Sequence, residues 1–243
     1  MEEMLTQEDS IQQVIRVGLL VPSSNTVMEV DLYRNLMKDM TLHTARMYLE
    51  EATRSAEIKM IEEYAPEAAQ SIKTAKPHFV VFGCTSAGSL RGPQYDAEVC
   101  TKISQITGVP TIGVFSAVRA ALHKLKAKSV AVITPYIDNI NASIKAGLEG
   151  DGLEVIAIHG MGINVNFATA SVKPIEIALY AIERLKGTKA DVVFFSCTNF
   201  RAMAALPLLK EKLSSEIITS NTATIEAIFE TANKVRSEMV LNS

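Results

Sequence analysis

Two cysteines stand in the same setting at distant points of this chain. Phe79-Val80-Val81-Phe82-Gly83 runs into Cys84-Thr85-Ser86, and Val192-Val193-Phe194-Phe195-Ser196 runs into Cys197-Thr198-Asn199. Each apolar run has the length and composition of a buried strand, so each brings a thiol to a strand's carboxyl end. Backbone N–H dipoles at such an end favour the thiolate, which predicts one residue poised as a base near neutral pH and a partner held as an acid. A facing pair could move a proton across a carbon. It could also attack an activated double bond and protonate the neighbouring carbon. Both routes pass through an enediolate-like carboxylate, and Thr85, Ser86, Thr198, Asn199 and their amides are placed to stabilise it.

Other reactive residue types give weaker signals. Cys100 lies within a helical stretch beside Val99 and Ile103 and reads as core. His43, His78, His123 and His159 show no ligand spacing with each other or with the thiols, so no metal is expected. No Ser-His-Asp order stands out. Gly160-Met161-Gly162 does not complete a dinucleotide-binding fingerprint and does not follow the first strand of its half.

The elements that must position the thiols repeat along the chain. Cys84 and Cys197 stand 197 − 84 = 113 positions apart, and the same shift lays Val17-Gly18-Leu19-Leu20-Val21-Pro22 over Val130-Ala131-Val132-Ile133-Thr134-Pro135. A nearly equal shift lays the strand from Leu42 over that from Leu153, and a slightly smaller one lays the strand from Thr111 over that from Glu216. Fixed-period similarity points to two halves on one plan. Strands alternating with helices imply parallel sheets and right-handed crossovers, with ligands at the carboxyl ends of the strands.

The expected architecture is therefore α/β, with two pseudo-symmetric Rossmann-like lobes and an active site in the cleft between them. Residues 1–117 form the first lobe and 118–223 the second, with a last helix over 224–243 folding back on the first. Ser24 or Asn25 suits a helix N-cap, and the loop holding them also suits a carboxylate. Glu50 to Ala65 reads as a surface helix with a solvated charged face, and Thr85 to Pro93 as a loop.

Composition narrows the function classes. The 243 residues carry a formal net charge of −3 with dispersed lysines and arginines, so neither nucleic acid nor a membrane surface is an expected partner. No apolar run is long enough to span a bilayer, and the start is acidic, unlike a signal peptide; a cytoplasmic location is expected. Three cysteines with no Cys-x-x-Cys pair predict reduced thiols rather than a disulfide framework.

The motifs Val-Pro-Ser-Ser-Asn-Thr (21–26), Gly-Cys-Thr-Ser (83–86), Thr-Pro-Tyr (134–136) and Ser-Cys-Thr-Asn (196–199) resemble the aspartate/glutamate racemase superfamily, in the branch of maleate cis-trans isomerases and arylmalonate decarboxylases. The resemblance runs from about Val17 to Phe229. It implies a cofactor-independent enzyme with substrate-holding residues at Asn25, Tyr136 and Asn166 beside the catalytic Cys84 and Cys197. For a maleate isomerase it implies that Cys84 adds to the double bond, that the succinyl-cysteine-like adduct rotates, and that elimination yields fumarate. Cys197 is then the acid/base partner. The Gly-Cys-Thr-Ser-Ala-Gly-Ser-Leu-Arg-Gly stretch is closer to the decarboxylases, although those have glycine at the position of Cys84. A racemase of amino acids or hydantoins, an arylmalonate-type decarboxylase and a binding protein without turnover remain open. The resemblance also implies a homodimer or higher homo-oligomer.

Overall fold

The computed structural model describes residues 14–241. The polar lead-in expected over residues 1 to about 13 lies outside the described residues. Two four-stranded parallel sheets form the framework. The first contains β1 (Ile15–Pro22), β2 (Met40–Met47), β3 (Phe79–Phe82) and β4 (Thr111–Gly113) in the order β2-β1-β3-β4. The second contains β5 (Ser129–Thr134), β6 (Glu154–Gly160), β7 (Val192–Phe195) and β8 (Glu216–Thr219) in the order β6-β5-β7-β8. The protein is an α/β fold of two matching lobes.

Helices fill the connections. In the first half these are α1 (Met28–Asn35), α2 (Arg54–Lys59), a π-helical segment (Met60–Tyr64), α3 (Ala65–Lys73), α4 (Thr85–Ser89) and α5 (Tyr95–Thr107). After β4, α6 (Val114–Lys124) leads into the second half, which holds α7 (Asp138–Glu149), α8 (Asn166–Ser171), α9 (Pro174–Arg184), α10 (Ala202–Lys212) and α11 (Ser220–Leu241). Pro174 opens α9 at a first-turn position where its missing N–H costs nothing. No helix among the described residues is long and apolar enough to cross a membrane.

Strand register exposes the repeat. Val17 pairs with Phe79 and Leu20 with Phe82, while Val130 pairs with Val192 and Ile133 with Phe195, every equivalent lying 113 positions on. The edge strands need correction. Leu42 and Val155 occupy equivalent positions opposite Val17 and Val130, so Val155, not Leu153, matches Leu42. A register shift after Val130 displaces the rest of β6 by one further residue. At the other edge Thr111 matches Ile217, one residue beyond the sequence alignment.

Strands β3 and β7 are buried along their whole length, as their unbroken apolar sequences require of central strands covered on both faces. The helix after each sheet's last strand packs on the opposite lobe. Phe115, Val118 and Leu122 of α6 join the second sheet's core, and Ile225, Ile228 and Ala232 of α11 join Ile15, Val17 and Leu19 of the first. A fully buried Phe or Ile contributes roughly 1.5–3 kcal/mol, so this exchange ties the lobes together. The carboxyl ends of β3 and β7 consequently meet at one seam.

Candidate active site

Cys84 follows β3 directly and stands at the N-cap of α4, a single helical turn where the sequence suggested a loop. Gly83 makes this approach possible, because a Cβ there would lie 2.9 Å from the Leu20 carbonyl oxygen, to which the Gly83 N–H donates at 2.7 Å. Its counterpart Ser196 donates in the same way to Ile133, at 2.9 Å. Cys84 is buried, with Sγ 3.7 Å from the Ser86 hydroxyl.

Cys197 is buried as well and adopts φ +133°, a region residues with a Cβ rarely occupy. Its N–H donates to Ser220 Oγ at 3.0 Å, and the Asn199 N–H donates to its sulfur at 3.3 Å. These bonds hold a conformation costing on the order of 1–3 kcal/mol, of the kind that persists at functional sites. The buried Tyr136 hydroxyl donates to Cys197 Sγ, and its own ionisation is opposed by burial and by both sulfurs, Cys84 included. The two thiols therefore lie around one phenol.

Burial governs the acidities and corrects the expected thiolate. Cys84 is pushed far up by burial and then by the nearby Glu57 charge, against the lowering effects of the Ala87 amide and Ser86. Cys197 is pushed up to about 11 by burial, with Tyr136 and the Asn199 amide pulling the other way. Both are thiols at neutral pH. A single turn of helix does not offset full desolvation.

The remaining candidates form a polar seam between the lobes. Asn25 accepts the Val27 and Met28 N–H groups at 3.0 Å each, giving the capping role its type suggests, while its Nδ2 donates to Thr198 Oγ1 at 2.9 Å. Thr198 in turn donates to the Gly83 carbonyl at 3.0 Å. Thr85 donates to Ser220 at 2.8 Å. Asn199 accepts the Thr26 N–H at 2.9 Å and donates to the Asn166 carbonyl at 2.7 Å, and Asn166 Nδ2 donates to Ser24 at 2.8 Å. All nine residues singled out for the site are buried at the seam, from Asn25 to Asn199. No group of His, Cys, Asp and Glu side chains among the described residues is arranged to hold a metal ion.

The arylmalonate decarboxylase family model matches residues 17–239. The chain belongs to that family. It is 24% identical over 232 residues to a maleate isomerase of Geobacillus stearothermophilus, covering 90% of this chain and 92% of that one. A maleate isomerase structure from Pseudomonas putida S16 with maleate superposes with a TM-score of 0.85 at 22% identity, covering 90% of this chain and 92% of that chain. A Nocardia farcinica maleate cis-trans isomerase structure with a covalently bound succinylcysteine intermediate gives 0.82 at 18% identity, covering 90% and 93%. These likenesses establish the shared fold of two lobes.

Within this family member, two residues escaped the sequence reading. The charge pattern of residues 50–65 places Glu57 on a solvated face, but it is fully buried and accepts the Ser86 hydroxyl proton at Oε1. Burial pushes its carboxyl up to about 7, opposed by Ser86 and the Arg54 guanidinium. A signal existed, since Glu57 shares the i, i+3, i+4 series of the buried Met60, Ile61 and Ala65. Ser220 was also missed. It ends β8 much as the cysteines end their strands, and it bonds both Thr85 and the Cys197 amide.

Proposed function

We propose that this chain is a cofactor-independent cis-trans isomerase that converts maleate to fumarate. The observation that carries the reading is the meeting of two buried thiols, one from each lobe, around Tyr136. The maleate isomerases among its relatives support the substrate.

Cys84 is the nucleophile. Its sulfur gives up its proton toward the Ser86 hydroxyl, to be returned on elimination, and adds to one alkene carbon; the π pair shifts toward the neighbouring carboxylate, and the Cys197 thiol protonates the adjacent carbon. The former double bond is then single and rotates freely. Cys197 recovers the proton, the double bond re-forms in the trans geometry and the carbon–sulfur bond breaks. Asn25, Asn166, Thr198 and Asn199 supply neutral donors for the two carboxylates, and Thr85, Ser86 and Tyr136 complete the pocket. As part of the same reading the chain forms a homodimer or higher homo-oligomer and works in the cytoplasm.

Proton NMR of the protein with maleate tests the reading. The fumarate resonance should grow at the expense of maleate. Unchanged maleate would overturn it. In heavy water, α-deuterium in an amino acid or hydantoin would mark a racemase, carbon dioxide from an arylmalonate a decarboxylase, and a raised melting temperature without conversion a binding protein.

A further inference from the structure

The hydrogen-bond chain leaving Cys84 ends in α2, on a carboxyl that the isomerisation steps above leave unused. We propose that Glu57 is the proton acceptor for Cys84, taking the thiol proton through the hydroxyl of Ser86. The proposal rests on Cys84 being the attacking thiol, not on which double bond it attacks.

The direction of the chain follows from donors and acceptors. Ser86 has one hydroxyl proton, and it is committed to Glu57 Oε1. In the 3.7 Å contact between Cys84 and Ser86, the S–H must then be the donor and the serine oxygen the acceptor. Thiol, hydroxyl and carboxylate form one relay pointing inward from the sulfur.

A structural role explains the carboxyl poorly. Glu57 is fully buried, and its Oε2 has no hydrogen-bond partner among the described residues. A buried carboxylate kept for stability is ordinarily tied to the fold by backbone donors, as Asp96 is by the Ser116 N–H although its Oδ1 too is unpartnered, whereas Glu57 meets only the Ser86 hydroxyl. Among the groups facing it, Arg54 lies on its own helix and gives one guanidinium N–H to the Leu90 carbonyl at 2.9 Å. Cys84 and Ser86 face it from the β3–α4 junction, Tyr136 from the loop after β5 and Cys197 from the end of β7. Cys197 and Tyr136 are far weaker acids than Glu57, and a carboxyl titrating near neutrality suits a general base.

The step balances. As sulfur forms its bond to carbon, the Cys84 proton passes to Ser86 Oγ and the Ser86 proton passes to Glu57 Oε1. The π pair becomes the carbanion that Cys197 protonates. Elimination reverses each transfer and returns the proton to Cys84. Glu57 is neutral while the adduct exists, so the dianionic substrate does not face a third carboxylate in a desolvated pocket.

The test is the reaction of Cys84 with acrylamide, a small uncharged Michael acceptor, followed by peptide mass spectrometry alongside maleate turnover. Glu57→Gln and Ser86→Ala should each slow Cys84 labelling at neutral pH by about tenfold or more, and the double variant should be no slower than either. In the unaltered protein the rate should climb as Glu57 ionises, and Glu57→Gln should lack that limb. Unchanged Cys100 labelling in each variant verifies the fold. If Glu57 only repels the thiolate, Glu57→Gln would label as fast as the parent or faster; that outcome, or additive losses in the double variant, overturns the relay. A protein that shows the labelling pattern but leaves maleate unchanged keeps the relay and loses the proposed substrate. Full turnover in Glu57→Gln does the reverse.

Discussion

Replacing Glu57 by glutamine should stabilise the protein in a pH-dependent way, and the size of the effect follows from where the carboxyl sits. In the folded protein it keeps its proton up to about 7, against an ordinary value of 4.5. The difference, about 2.5 pK units at 1.36 kcal/mol each, is on the order of 3 kcal/mol. Below about pH 4.5 both folded and unfolded chains carry the proton, and burial has no ionisation cost. Between there and about 7 the unfolded chain releases its proton while the folded one retains it, so stability falls as pH rises. Above about 7 the full cost is present.

Glutamine has nearly the same shape and still accepts the Ser86 proton through its carbonyl, but it never ionises. Urea unfolding at pH 4.5, 6 and 8 should show the variant close to the parent at the lowest pH and more stable by up to roughly 3 kcal/mol at the highest, with similar m-values. Parallel pH dependences for the two proteins would refute the reasoning, because they would mean that the carboxyl ionises as readily folded as unfolded. A gain in stability together with a loss of Cys84 reactivity would be a direct exchange of stability for function.

Other substitutions probe the rest of the site. Cys84→Ala and Cys197→Ala should each abolish maleate turnover while circular dichroism stays unchanged, whereas Cys100→Ala, in the core of the first lobe, should keep most of the activity. Cys197→Gly should melt above Cys197→Ala, by about 1 kcal/mol, since glycine relieves the strain of φ +133° and loses only roughly 0.5–1 kcal/mol in backbone entropy; an equal or lower melting point would show that the backbone is unstrained. Gly113→Ala should lower the melting temperature by the equivalent of about 2–4 kcal/mol, because the new Cβ would collide with the buried Asp96 carboxylate that accepts the Ser116 N–H at the start of α6.

The repeat was legible because parallel pairing is insensitive to loops: β1, β3, β5 and β7 keep one shift through register, strand end and cysteine alike. It blurred at the sheet edges, where a register irregularity in β6 and a short β4 moved the pairing. The thiols were legible as residue types at strand ends, but their protonation was not. Desolvation depends on everything packed around a group, and neither the helices closing over the sulfurs nor Glu57 adjoins them in sequence. The inward position of Glu57 is hidden for a related reason. Charge on a helix usually means solvent, and only the packing of α2 against α4 turns that residue inward.

The seam also reconciles two readings of the polar residues, as ligands for a substrate and as bonds between lobes. Asn25, Thr198, Asn199 and Asn166 now satisfy one another or backbone groups across the cleft. Neutral hydrogen bonds of this kind contribute roughly 0.5–1.5 kcal/mol each, whereas bonds to a charged acceptor contribute about 1.5–3 kcal/mol. A dicarboxylate entering between the lobes can therefore exchange each bond it breaks for a stronger one. The same donors that join the lobes can therefore hold the substrate, and most of the seam's hydroxyls and amides are partnered. Glu57 Oε2, Ser196 Oγ and Asn221 Oδ1 are the departures from this economy at the seam. Of these three atoms, only the first belongs to a group that can take up a proton at neutral pH, which is why the chemistry is placed there.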